Sequence, residues 1–137
     1  LTAVGEGAPA SLFVEEGVVA AGHVPDASLD RFYETSRVAV VPILTGGGVT
    51  GKTVEAMAHG LPFVSTAAGL AGLPAAGQVA QPADTVEAFA AQVVQKYLDK
   101  AEWEKTSDAY RKYLREFASF KEAERIWKKI LANAAER

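Results

Sequence analysis

Three consecutive glycines, Gly46, Gly47 and Gly48, run through Val49 and Thr50 into a segment carrying Lys52 and Glu55. Backbone amides of such a loop, placed before a helix N-terminus, form a site for an anion, phosphate above all. Lys52 adds positive charge there, and a lysine at a helix start is electrostatically unfavourable unless an anion answers it. Glu55 suits the same helix end for the opposite reason. Side-by-side glycines cost backbone entropy, so a turn alone rarely needs three of them. The chemistry these residue types suggest is the holding of a phosphorylated ligand.

The elements that must position them follow from the surrounding pattern. The apolar run 38–43 has the length and composition of a strand buried on both faces. Residues 50–59 read as a helix turning Val54, Met57 and Ala58 inward, closed by Gly60 and blocked by Pro62. Residues 62–66 read as another strand. Strand, glycine loop, helix and strand make a parallel βαβ unit, whose loop sits where such folds bind ligands.

Upstream, 1–4 and 18–22 read as strands, with Gly5-Glu6-Gly7 and Glu15-Glu16-Gly17 as turns and an irregular helical turn over 9–14. Asp26 is the expected N-cap of a helix over 27–35 that buries Leu29, Phe32 and Tyr33. Downstream, 79–81 reads as a last short strand. Asp84 heads a capping box for a helix with Val86, Phe89, Ala90, Val93, Val94, Tyr97 and Leu98 at helical spacing. A helix over 101–117 carries Trp103, Tyr110, Tyr113, Leu114 and Phe117. Ser119 and Glu122 box the start of a last helix with Phe120, Ala123, Trp127, Ile130, Leu131 and Ala134 along one stripe. The fold class is therefore α/β, a Rossmann-like parallel sheet with helices on both faces and a helical C-terminal third.

At 137 residues the chain has the length of one domain. Its net charge of −3 gives no reason to expect nucleic acid as a partner. The absence of cysteine excludes disulfides and thiolate metal sites, and two histidines, His23 and His59, supply no metal-ligand spacing. No apolar run nears the roughly 18 residues that span a bilayer, and the expected location is cytoplasmic. The chain starts on an apolar stretch at Leu1, as expected of a domain lacking its opening strand and helix.

Residues 46–53 satisfy G-x-x-x-x-G-K-[ST], the phosphate loop of nucleoside triphosphatases, in its strand-loop-helix context. Yet no apolar strand ends in an aspartate able to hold magnesium, as that class requires. A non-catalytic Rossmann-like interaction module, with Phe120, Trp127 and Ile130 as interface, is the other alternative.

The residues after the loop favour a different reading. Lys52-Thr-Val-Glu55-Ala-Met-Ala-His-Gly60-Leu-Pro62-Phe-Val64-Ser-Thr66, followed by Gly69 and Gly72, resembles the donor-binding signature K-x-x-E-A-M-A-x-G-x-P-V-V-x-T of GT-B glycosyltransferases. The likeness is to the retaining, family-4-like group 1 enzymes that build bacterial polysaccharides and glycolipids from nucleotide sugars. Gly5-x-Gly7 resembles the loop after an early strand of their C-terminal domain. Gly22-His23-Val24-Pro25-Asp26 resembles their G-x-V-x-D turn.

The resemblance implies a role for each matched residue. Glu55 would accept hydrogen bonds from the ribose hydroxyls of the donor, since one carboxylate can take two neighbouring hydroxyls. Gly46, Gly47, Gly48, Val49 and Thr50 would face the diphosphate and sugar, with Lys52 assisting. Gly5 and Gly7, in the loop after the early strand, would belong to the donor-binding residues, and His23 and Val24 would meet the nucleobase through backbone groups. Many relatives carry a second glutamate eight residues before the ribose glutamate; here that position is Gly47. No tightly bound cofactor and no protein-held metal is implied, the nucleotide diphosphate sugar being the donor substrate. The catalytic residues are expected in an N-terminal domain of the same enzyme, and the full enzyme at the inner membrane face. The fragment alone is expected to be inactive, and to be free to self-associate through its C-terminal helix.

Overall fold

The computed structural model describes residues 1–7, 11, 14, 16–46 and 48–135, with side chains through 128. Gly47 and most of the turn expected over 9–14 lie outside the described residues. The chain forms two compact units, Leu1–Ser36 and Arg37–Arg137.

In the first unit, strands β1 (Thr2–Val4) and β2 (Val19–Gly22) pair in parallel, followed by helix α1 (Asp26–Thr35). The register slips between Ala3 and Val4, which lets Val4 face Gly22 instead of Ala21. Leu29, Phe32 and Tyr33 are the half-buried side of α1, as their spacing predicts. The cap differs from expectation. Pro25 takes the N-cap position with extended backbone, and Asp26 is the first helical residue, where its charge favours the positive helix end.

The second unit holds strands β3 (Ala39–Val41) and β4 (Phe63–Ser65), paired in parallel through helix α2 (Gly51–Ala58). Then come the short helix α3 (Ala67–Leu70), a 3-10 turn at Ala76–Gln78, and helices α4 (Val86–Leu98), α5 (Lys100–Phe117) and α6 (Phe120–Ala135). The α/β class with parallel strands is thus as the sequence predicts. The fifth strand expected over 79–81 is not formed, because the 3-10 turn and the coil after it occupy that stretch.

Helix α2 ends in a Schellman motif. The Gly60 amide donates to the Met57 carbonyl at 3.0 Å and the Leu61 amide to the Ala56 carbonyl at 2.8 Å, with Gly60 at φ +64°. The chain thereby turns out of the helix at Gly60 and enters β4 at Phe63. All three residues of β4 are buried, as a strand covered on both faces should be.

The core gathers Val41, Ala56, Met57, Leu61, Phe63, Val64 and Leu70 with Tyr110 and Tyr113 of α5. Phe63 and Tyr110 stack with ring centroids 5.0 Å apart. Helix α2 buries Thr53, Ala56 and Met57, whereas Val54 is half-buried and Ala58 faces solvent, correcting the inward set read from apolarity alone. Likewise α5 buries Thr106 and Ser107 beside its tyrosines.

Trp103 is a bracket rather than a core ring. Its indole Nε1 donates to the Arg37 carbonyl at 2.7 Å, and the Arg37 guanidinium lies 5.4 Å from the ring centroid. Arg37 Nε in turn donates to the Tyr97 carbonyl at 3.1 Å, which joins the start of the β3 segment to the end of α4.

The cap of α4 is Thr85, whose hydroxyl accepts from the Ala88 amide, and not Asp84. Asp84 instead accepts from the Ala67 amide at 2.8 Å and so caps α3 from across the fold. Of the apolar stripe on α4, Phe89 and Val93 are half-buried, while Val86, Ala90, Val94, Tyr97 and Leu98 are exposed. On α6, Ser119 caps as expected, and Phe120 and Trp127 are exposed.

Candidate functional site

The predicted residues fall into two groups, each at the carboxyl end of a parallel strand pair. This is the edge at which open α/β sheets carry their ligand loops.

In the second unit the chain leaves β3 through Pro42 and Ile43 and passes Gly46, at φ +152°, and Gly48, at φ +96°. The described loop residues Leu44 to Val49 are exposed. Thr50 takes the N-cap position of α2 in extended backbone and makes no side-chain capping bond. The first turn of α2 contains no acidic residue, and Gly51 and Lys52 in it are exposed. The helix start thus has no side-chain cap and no acidic residue within its own first turn, an end that favours negative charge.

Glu55 is exposed one turn on. Its Oε1 lies 3.7 Å from where a Cβ on residue 51 would stand, so the carboxylate folds back over that first turn. Lys52, Glu55 and the loop amides therefore share one end of α2, as the spacing of the sequence requires.

The loop rests on the turn that follows β4. At its entry, the Thr66 hydroxyl donates to the Ile43 carbonyl, and the same hydroxyl caps α3 by accepting from the Gly69 amide at 3.3 Å. In its middle, Gly72, at φ +81°, approaches so closely that a Cβ there would stand 2.8 Å from both the Gly48 carbonyl carbon and the Val49 nitrogen. At its exit, the buried Thr53 hydroxyl donates to the Gly69 carbonyl at 2.9 Å. Gly69 itself must be glycine, since a Cβ would overlap the Ser65 hydroxyl and crowd the Val41 carbonyl at 3.2 Å.

Sequence reasoning noted Gly69 and Gly72 only as part of a pattern and missed Thr53 and Thr66 as supports. A hydroxyl residue directly after a buried strand, ahead of small residues, was the signal available for Thr66. Thr53 also bears on the triphosphatase alternative. That class turns this hydroxyl toward magnesium, whereas here it is fully buried and bonded to Gly69.

In the first unit the Gly5 amide donates to the Gly22 carbonyl at 2.8 Å, extending the β1–β2 ladder. Gly5 (φ +120°), Gly7 (φ +79°) and Gly22 (φ +64°) all take conformations that favour glycine. The turns 5–7 and 22–24 leave the same end of the strand pair, with His23 exposed and Val24 half-buried.

Elsewhere, a cleft of about 310 Å³ lies against α4 and α5, lined by Gln81, Gln92, Gln95, Lys96, Glu102 and Thr106 among others. Partial burial lowers the Lys96 pKa, and Glu102 opposes the shift. None of the residues predicted from sequence lines it. Among the described residues no cluster of three or more histidine or acidic side chains is arranged for a metal, and no helix is long and apolar enough to cross a membrane.

Fold and site together define a Rossmann-like α/β domain with glycine-rich loops at the carboxyl ends of its parallel strands. Residues 1–99 match the family described as glycosyl transferases group 1, and the chain belongs to that family. The matched span takes in both loop groups, Lys52 and Glu55, and ends at the close of α4. No curated protein and no solved structure matches the chain significantly.

Proposed function

We propose that this glycosyltransferase chain is the donor-binding domain of a GT-B enzyme that takes its sugar from a nucleotide diphosphate sugar. The observation that carries the reading is the exposed, uncapped start of α2, with Lys52 in its first turn and Glu55 folded back beside it. The loop amides and Lys52 would hold the diphosphate and stabilise the charge that grows on it as the sugar departs. Glu55 would accept from the two ribose hydroxyls. His23 and Val24 would meet the nucleobase through backbone groups, beside Gly5 and Gly7.

Transfer would proceed with retention, to a polysaccharide or glycolipid acceptor held by an N-terminal domain of the same enzyme. The diphosphate would need no metal held by protein groups, and the isolated 137-residue chain would bind nucleotide weakly without transferring sugar. Phe120 and Trp127 on α6 would serve self-association of that isolated chain.

Titration calorimetry with UDP, GDP and ATP, with and without magnesium, tests this reading. Binding of a diphosphate nucleotide without metal, lost in Glu55→Ala, is the expected result. Binding confined to ATP with magnesium, or appreciable sugar transfer by the isolated chain, would overturn it.

A further inference from the structure

We infer that Thr66 and Gly72 are positioning residues that set the placement of the glycine loop over the start of α2, and through it the affinity for diphosphate. The inference rests on the donor-site reading above. Neither side chain needs to touch the ligand. Thr66 holds the Ile43 carbonyl at the loop entry, while Gly72 lets backbone meet backbone at Gly48 and Val49.

The two residues act by different physics. Thr66 supplies one hydroxyl that donates to the loop and accepts from the Gly69 amide, so it ties the loop to α3. Gly72 supplies the absence of a side chain. Its missing Cβ would sit 2.8 Å from two backbone atoms of the loop, and backbone cannot rotate aside as a flexible side chain can. Any larger residue at 72 must therefore displace Gly48 and Val49, whose neighbours are the amides offered to the anion.

The conformational cost at Gly72 can be separated from the steric one. Gly17 has nearly the same backbone, φ +79° against +81°, but a Cβ there meets nothing within 4 Å. Gly17→Ala therefore carries the strain of a positive φ without the collision.

The experiment uses the full 137-residue chain. Affinity for UDP and GDP is measured by calorimetry, and the Val49 and Thr50 amide resonances are followed without ligand. Gly72→Ala is expected to shift those resonances and weaken binding at least tenfold, with Gly17→Ala within twofold of the parent. Should Gly72→Ala fail to fold, Thr66→Val carries the test. It is expected to weaken binding severalfold, with Thr66→Ser restoring it. Parent-like binding by a folded Gly72→Ala or by Thr66→Val overturns the positioning role alone. A parent chain that binds neither nucleotide overturns the donor-site reading and this role with it.

Discussion

The Thr53 hydroxyl donates to the Gly69 carbonyl at 2.9 Å, tying the first turn of α2 to the turn after β4 from inside the core. Thr53→Val keeps the shape and removes the donor, leaving a buried carbonyl unsatisfied. Such a loss costs about 1–3 kcal/mol, so chemical denaturation should show a lower midpoint. Thr53→Ser should recover most of the difference. Because this hydroxyl faces inward, added magnesium should leave nucleotide affinity unchanged, which calorimetry can read directly.

At Gly60 two penalties combine. The residue closes the Schellman motif at φ +64°, and a Cβ would stand 2.7 Å from the Ser107 hydroxyl and about as near the Arg111 guanidinium. An alanine in left-handed backbone costs on the order of 1 kcal/mol, and displacement of α5 side chains adds to it. Gly60→Ala should therefore destabilise by about 2 kcal/mol or more, and Gly17→Ala by about 1. Paired thermal melts of the two variants measure the difference.

Tyr110 is fully buried against Phe63, and burial raises its phenol pKa well above the ordinary value of 10.0. The Phe63 backbone lies near enough to hold the shift back, yet among the described residues the hydroxyl reaches no hydrogen-bonding geometry with a partner. The sign follows from linkage. An unfolded chain ionises this phenol near pH 10 while the folded chain keeps it protonated, so stability is intact below pH 10 and falls above it. Tyr110→Phe should flatten that alkaline loss. At neutral pH it should cost less than about 1 kcal/mol, because it removes an unpaired buried polar group. Denaturation midpoints between pH 7 and 11 provide the check.

Within the proposed donor site, Glu55 and Lys52 should fail in different ways. Loss of a charged hydrogen-bond acceptor costs about 1.5–3 kcal/mol, so Glu55→Ala should weaken UDP or GDP binding by roughly 10- to 100-fold. Lys52→Ala should weaken the diphosphates strongly and the corresponding nucleoside little. Its effect should also shrink as salt is added, since an exposed charge is screened. Calorimetry at two ionic strengths separates the pair.

The βαβ unit and the shared end of Lys52 and Glu55 could be read from the sequence because strand, glycine loop and helix each declare themselves locally. What could not be read depends on contacts distant in the chain. Asp84 has the spacing of an α4 cap, but it serves the Ala67 amide, 17 residues back, while Thr85 takes its place. Thr53 and Ser107 are polar yet buried: the Thr53 hydroxyl meets the Gly69 carbonyl, and the small Ser107 side chain packs close against Gly60. The stripe on α4 shows the converse. Periodicity marks its apolar residues, yet only Phe89 and Val93 of them are partly covered. The strand expected over 79–81 is not formed because only Val79 of its three residues favours a strand, and the 3-10 turn at Ala76–Gln78 runs directly into it.

The open side of α4 has a practical corollary. Val86, Val94, Tyr97 and Leu98 present a greasy strip to water on a chain whose net charge is only −3. A weakly charged polypeptide has little repulsion to keep such strips apart, so its solubility will be governed by salt and by proximity to its isoelectric point near pH 5.4. Purification well above that pH, or glutamate in place of Val94 and Leu98, would extend the concentration range open to spectroscopy without disturbing a buried residue.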